Sequence, residues 1–196
     1  MNGVIGVLLA LQERQRSGLG QLVDVSLYDS GISLLHPHAG NWFMSGRTPG
    51  RSGNAHPNIY PYDSFATGTT PVFLAVGNDR QFRLLCEHLG CPQLVADERF
   101  ATAGQRSHHR DALKPLLEQA LQASDGPALA DALMAIGVPA APVLGVDAAL
   151  NHPHTLHREM VVEMEGGYRG LGAPVKLSRT PASYRHAPLA EGDSFE

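Results

Sequence analysis

Lysine is nearly missing from this 196-residue sequence, where Lys114 and Lys176 stand against thirteen arginines. The basic residues form no stripe and the formal net charge is -4, which leaves no electrostatic footprint for nucleic acid. Cysteine is equally scarce: Cys86 and Cys91 are too few for a disulfide framework. A reducing cytoplasm is the compartment expected of such a chain. No apolar run approaches the roughly 20 residues of a membrane helix. The short apolar run within Met1–Leu11 has no positive stretch before it and no small-residue cleavage site after it, so it reads as a buried helix and not as a signal peptide. No G-x-S-x-G elbow locates a nucleophile for Ser-His-Asp chemistry.

What is present is a globular composition, with 43% hydrophobic and 17% charged residues. Val4, Ile5, Val7, Leu8, Leu9 and Leu11 predict a helix apolar on nearly every side, which needs cover on most faces. Gly18 and Gly20 stop it. Leu22, Val23, Val25 and Leu27 alternate as a short strand would. A second helix is expected over Asp29–Met44, interrupted at His36-Pro37.

A β-α-α-α-β pattern follows. Val72–Val76 reads as a strand. Gly77-Asn78-Asp79 caps a helix that stops at Gly90. Ser107 caps a helix running to Leu121, and Ser124 or Asp125 caps another ending at Gly137. Val138–Val143 is an extended edge segment, because its prolines cannot donate to a central ladder. Beyond it come a helical turn at Asp147–Asn151, strands at Met160–Met164 and Val175–Leu177, and a polar tail from Pro188 expected to be mobile.

Four groups of residues invite a chemical reading. His152, His154 and His157 fit no metal-ligand spacing and lack completing ligands, so no metal site is expected. Cys86 falls on the apolar face of its helix and reads as core, although Cys86 and Cys91 together could form a redox or metal pair. His108-His109-Arg110 reads as a solvated helix start. The long segment Arg51–Tyr62 concentrates glycine, amide, imidazole and phenol groups between two structured blocks. It is either a substrate gate or an inert ordered linker.

Several blocks together resemble a known family. They are R-S-G-L-G-Q-L-V-D-V-S-L-Y-D at Arg16–Asp29, R-S-G-N-A-H-P-N-I-Y-P-Y at Arg51–Tyr62, V-G-N-D-R-Q-F at Val76–Phe82 and D-E-R-F-A-T at Asp97–Thr102. They continue with G-V-P-A-A-P-V at Gly137–Val143, G-A-P-V-K-L-S at Gly172–Ser178 and R-H-A-P-L at Arg185–Leu189. In this order they resemble the class III CoA-transferases, of the formyl-CoA transferase and carnitine CoA-transferase type.

The resemblance implies an α/β fold with a Rossmann-like large domain and a smaller α/β domain, two such chains interlocking as a homodimer. On it, residues 1–35 belong to the large domain, 36–63 form a linker, 64–145 form the small domain, and 146–196 form a second linker and the return to the large domain. It implies transfer of coenzyme A between an acyl-CoA thioester and a carboxylic acid, with coenzyme A as substrate and no further cofactor. An aspartate attacks the thioester, an anhydride forms, coenzyme A is held as a thioester on that aspartate, and the acceptor acid completes the exchange.

Family members carry that aspartate shortly before the helix matching Val4–Gln12. The expectation is therefore a C-terminal portion with no catalytic residue of its own, inactive alone and prone to associate through its uncovered first helix. Asp24 and Asp29 lie in a later block and read as structural. The family's glycine-rich loop over the aspartate aligns with His56–Tyr60, so His56, Asn58 and Tyr60 become the substrate-binding candidates. Proline there stiffens what glycine leaves mobile. A 2-methylacyl-CoA racemase of the same superfamily and a non-catalytic truncated remnant are the alternatives.

Overall fold

A computed structural model of the chain describes residues 1–188. Leu189, which closes the last motif, and the tail after Pro188 lie outside the described residues.

Helix α1 (Asn2–Ser17) ends where Gly18 turns left-handed at φ 75° and its N–H donates to the Arg14 carbonyl. None of its residues is buried, and Leu8 and Leu9 are each 60% exposed. The strand expected over Leu22–Leu27 does not form: residues 19–26 have no ladder partner, and Val23 instead lies against Gly6 of α1. Alternation alone makes no strand where no other segment offers backbone groups. The expected second helix is two, α2 (Leu27–Ser33), capped by the Ser26 hydroxyl, and α3 (His38–Ser45). The break falls at His36-Pro37, since proline lacks the N–H and disfavours the helical region at the residue before it.

Every core residue lies between Tyr60 and Val138. Strands β1 (Tyr62–Phe65), β2 (Val72–Ala75) and, much later, β3 (Ala140–Pro142) make an antiparallel sheet with β2 central. Pairings run from Tyr62 opposite Ala75 to Val72 opposite Pro142. Alternation puts Phe65, Val72 and Leu74 in the core, and Pro142 sits on the edge strand where no donor is needed.

Between β2 and β3 run five helices. Helix α4 (Asp79–His88) starts at Asn78, whose side chain accepts from Gln81 N–H at 2.9 Å, and ends at Gly90 with φ 68°. It buries Phe82, Leu85 and Cys86. After α5 (Gln93–Ala96) and a single 3-10 turn comes α6 (Ala103–His108), capped by Thr102 and not by Ser107. Ser107 lies in its last turn. The chain breaks at His109 and α7 (Arg110–Leu121) runs on through Pro115, burying Leu113, Leu117 and Leu121. Asp125 caps α8 (Gly126–Ala135), which contributes Leu129 and Leu133.

The remainder is slighter: α9 (Val146–Leu150), α10 (Pro153–His157), and a hairpin of β4 (Val161–Glu163) with β5 (Arg169–Leu171). Left-handed Gly166 and Gly167 reverse the chain so that β5 returns along β4. The strand expected at Val175–Leu177 does not form: the segment has no ladder partner among the described residues. His152 caps α10 with its own imidazole, and no group of three metal-binding side chains gathers among the described residues. No helix among them is long and apolar enough to cross a membrane.

Candidate functional site

Segment 46–61 crosses the end of the core as an irregular strap, and its backbone is held by arginines from the helices. Arg110, first residue of α7, donates to the carbonyls of His56 at 3.3 Å and Pro57 at 3.0 Å. It also binds the Ser107 carbonyl and hydroxyl. Arg106, fully buried in α6, donates to the carbonyls of Tyr60 at 3.2 Å and Phe100 at 3.0 Å and pairs with Asp79 at 2.7 Å. Its guanidinium lies 4.4 Å from the centroid of the Phe82 ring. Planar forks suit this work, as each satisfies several carbonyls at once. Arg110 is thus no solvated helix start. Neither arginine stands out in the sequence, since both sit in the polar run Gln105–Asp111 where nothing local marks burial.

The three residues singled out in the strap have different surroundings. The Nδ1 of His56 accepts from the N–H groups of Asn58 and Ile59, both at 3.1 Å. Those donors assign the neutral tautomer with its proton on Nε2. Burial first, then the charge of Arg110 and the nearby His38 and His36, holds the imidazole below its ordinary value of 6.5. Asn58 is exposed and exchanges two amide hydrogen bonds with Asn41 of α3, at 2.9 and 3.0 Å. These two residues fix the shape of the strap. Tyr60 is 1% exposed, and its hydroxyl has no partner. Burial, and then the Asp63 carboxylate, pushes this phenol well above its ordinary value, so it remains an O–H donor.

Tyr60 opens onto a cleft of about 550 Å³. His38, Arg51, Asp63, Arg110 and Lys114 share its walls. Among the described residues only two buried side-chain polar atoms lack a partner, the Tyr60 hydroxyl and the His38 Nδ1, and both belong to this cleft. A buried polar atom without a partner costs free energy, and both residues line this cleft. Lys114 pairs with Asp63 at 2.8 Å and also donates to the Ser64 carbonyl. Arg51, Arg110 and Lys114 outnumber the two carboxylates, Asp63 and Asp111, on the lining. The arrangement favours a small anionic, oxygen-bearing group.

Comparison with known proteins places the whole chain. Residues 1–194 match the pattern of CoA-transferase family III. The chain is 38% identical to the acetyl-CoA:oxalate CoA-transferase of Acetobacter aceti over 173 residues, 88% of this chain and 44% of that protein. It is 35% identical to the succinyl-CoA:mesaconate CoA-transferase of Haloarcula marismortui over 198 residues, 98% of this chain and 49% of that one. The crystal structure of a CaiB/BaiF family protein from Brucella suis superposes with a TM-score of 0.74 at 37% identity, covering 95% of this chain and 50% of the other. The chain thus spans about half the length of the relatives it matches. Matched over residues 1–194 in sequence and over 95% of its length in fold, this chain belongs to CoA-transferase family III.

Proposed function

We propose that this chain forms the C-terminal portion of an enzyme that moves coenzyme A between an acyl-CoA thioester and a dicarboxylic acid. The match over 88–98% of the chain to proteins named as transferases acting on oxalate and mesaconate carries the reading. The cleft supports it: a protonated phenol, an imidazole and an excess of cationic side chains suit the carboxylate of an acid substrate. In this reading Tyr60 donates to the substrate, while His56 and Asn58 hold the strap that presents it.

In this reading the attacking carboxylate is the aspartate that the family resemblance implies, and no aspartate of this chain matches its motif. The apolar faces of α1 to α3 are covered in the working enzyme by the remainder of a homodimer. Leu27 and Phe43, exposed like Leu8 and Leu9, support that cover.

A chimera tests the proposal. This chain replaces the matched C-terminal portion of the Acetobacter enzyme, and coenzyme A transfer is measured with a panel of dicarboxylic acids. Activity is expected, with Tyr60→Phe raising KM for the acid about tenfold, the worth of one hydrogen bond to a charged group. A folded chimera that transfers to no acid would refute the function. Isotope exchange between labelled acid and acyl-CoA catalysed by the chain alone would refute its dependence on an outside nucleophile.

A further inference from the structure

Cys86 and Cys91, the only cysteines of the chain, meet at the end of α4. The helix closes with two backbone bonds, from Cys91 N–H to the Cys86 carbonyl at 2.9 Å and from Gly90 N–H to the Glu87 carbonyl at 3.2 Å. With Gly90 left-handed, these are the bonds of a Schellman motif, in which the side chains three residues before the helix end and two after it face one another. Those two positions are Cys86 and Cys91. An apolar pair is usual there, and here the pair is two free thiols.

The thiols differ in access. Cys86 is sealed in the core beside Phe82 and Leu85, while Cys91 is 6% exposed and borders a surface depression of about 290 Å³ with Leu89, Gln93 and Leu116. We propose that Cys86 and Cys91 form a dithiol site that reacts with low-molecular-weight disulfides and closes to an intramolecular disulfide. The Cys91 thiolate attacks one sulfur of the small disulfide, forming a mixed disulfide and releasing one thiol. Cys86 then attacks the Cys91 sulfur, the Cys86–Cys91 bond forms, and the second thiol leaves. Two protein protons end on two small thiols, and the small disulfide is the oxidant.

The electrostatics favour this order. The neighbouring Cys86 thiol and a backbone N–H hold the Cys91 thiol below its ordinary value against the effect of burial. The neighbouring Cys91, and then burial, push the Cys86 thiol up. Cys91 is therefore the attacking thiol and Cys86 the resolving one.

The folded chain is incubated with 2-hydroxyethyl disulfide in mildly alkaline buffer, quenched with iodoacetamide and weighed intact. Wild type is expected to lose the mass of two hydrogens, keep no adduct and take up no iodoacetamide. The tryptic peptide Leu84–Arg99, which holds both cysteines, then carries the bond. Cys86→Ser is expected to retain one mixed-disulfide adduct on Cys91, whereas folded Cys91→Ser takes none. A lasting adduct on wild type, or wild type with both thiols still alkylated after long incubation, would overturn the proposal. The wild-type result decides even if a variant does not fold.

Discussion

Replacing Arg106 with methionine isolates the contact that ties the strap to the helices. Arg106 is fully buried, and it serves the Tyr60 and Phe100 carbonyls, the Asp79 carboxylate and the face of Phe82. Methionine keeps much of the volume and removes every donor. Two carbonyls left without partners cost about 1 kcal/mol each at the least. The lost stacking on Phe82 adds ~1 kcal/mol. The link to Asp79 adds no more than about 1 kcal/mol, because that carboxylate is more than half exposed. The total is about 3–4 kcal/mol, a large share of the stability of an ordinary domain.

Urea unfolding of the 196-residue chain, followed by far-ultraviolet circular dichroism, reads this directly. At a slope of about 1.5 kcal/mol/M the midpoint falls by roughly 2–2.7 M with the slope unchanged. The control is Arg99→Met. Arg99 pairs with Asp97 at the same 2.7 Å but is 52% exposed, and its loss should leave the midpoint unmoved. An Arg106→Met midpoint within about 0.5 M of wild type would refute the reasoning, for it would mean that water replaces the guanidinium at both carbonyls.

Two further perturbations follow from local geometry. In α8 a Cβ at Gly126 would collide with the Thr70 carbonyl oxygen, whereas one at Gly104 in α6 meets nothing within 4 Å. Gly126→Ala should therefore cost about 1–3 kcal/mol and Gly104→Ala should stabilise by ~0.5 kcal/mol, both read from the same urea curves; equal effects would refute the packing argument. His56 has its folded value below 6.5, so between those two values the unfolded chain binds more protons. Its contribution is full above 6.5 and is lost as pH falls through 6.5 toward the folded value. The fall in urea midpoint between about pH 7 and about pH 5 should be larger in wild type than in His56→Asn, and parallel falls would remove His56 as the cause.

Local chemistry was legible in the sequence. Gly18, Gly90 and Gly137 each turn left-handed where a helix stops, Asn78 and Asp125 each cap the helix that follows, and Pro37 divides α2 from α3. These signals act within a turn or two of backbone, so they survive translation from sequence to structure almost unchanged. The family was legible for a related reason: its blocks, spread over the chain, are backbone and packing requirements that recur in the same order.

What depends on a distant partner was not legible. Leu22–Leu27 and Val175–Leu177 have the composition of strands and no neighbour to pair with, while Tyr62–Phe65 and Arg169–Leu171 are strands because β2 and β4 lie beside them. Arg106 and Arg110 resemble solvated residues until the strap descends on them and supplies carbonyls 46 and 54 positions away. The sequence by itself determined where helices begin and end, and which family the chain belongs to. Only the tertiary structure decided which strands exist, which arginines are buried, and that Tyr60 and His38 meet on one cleft. Capping and handedness are settled among neighbours along the chain, whereas pairing and desolvation are settled among neighbours in space.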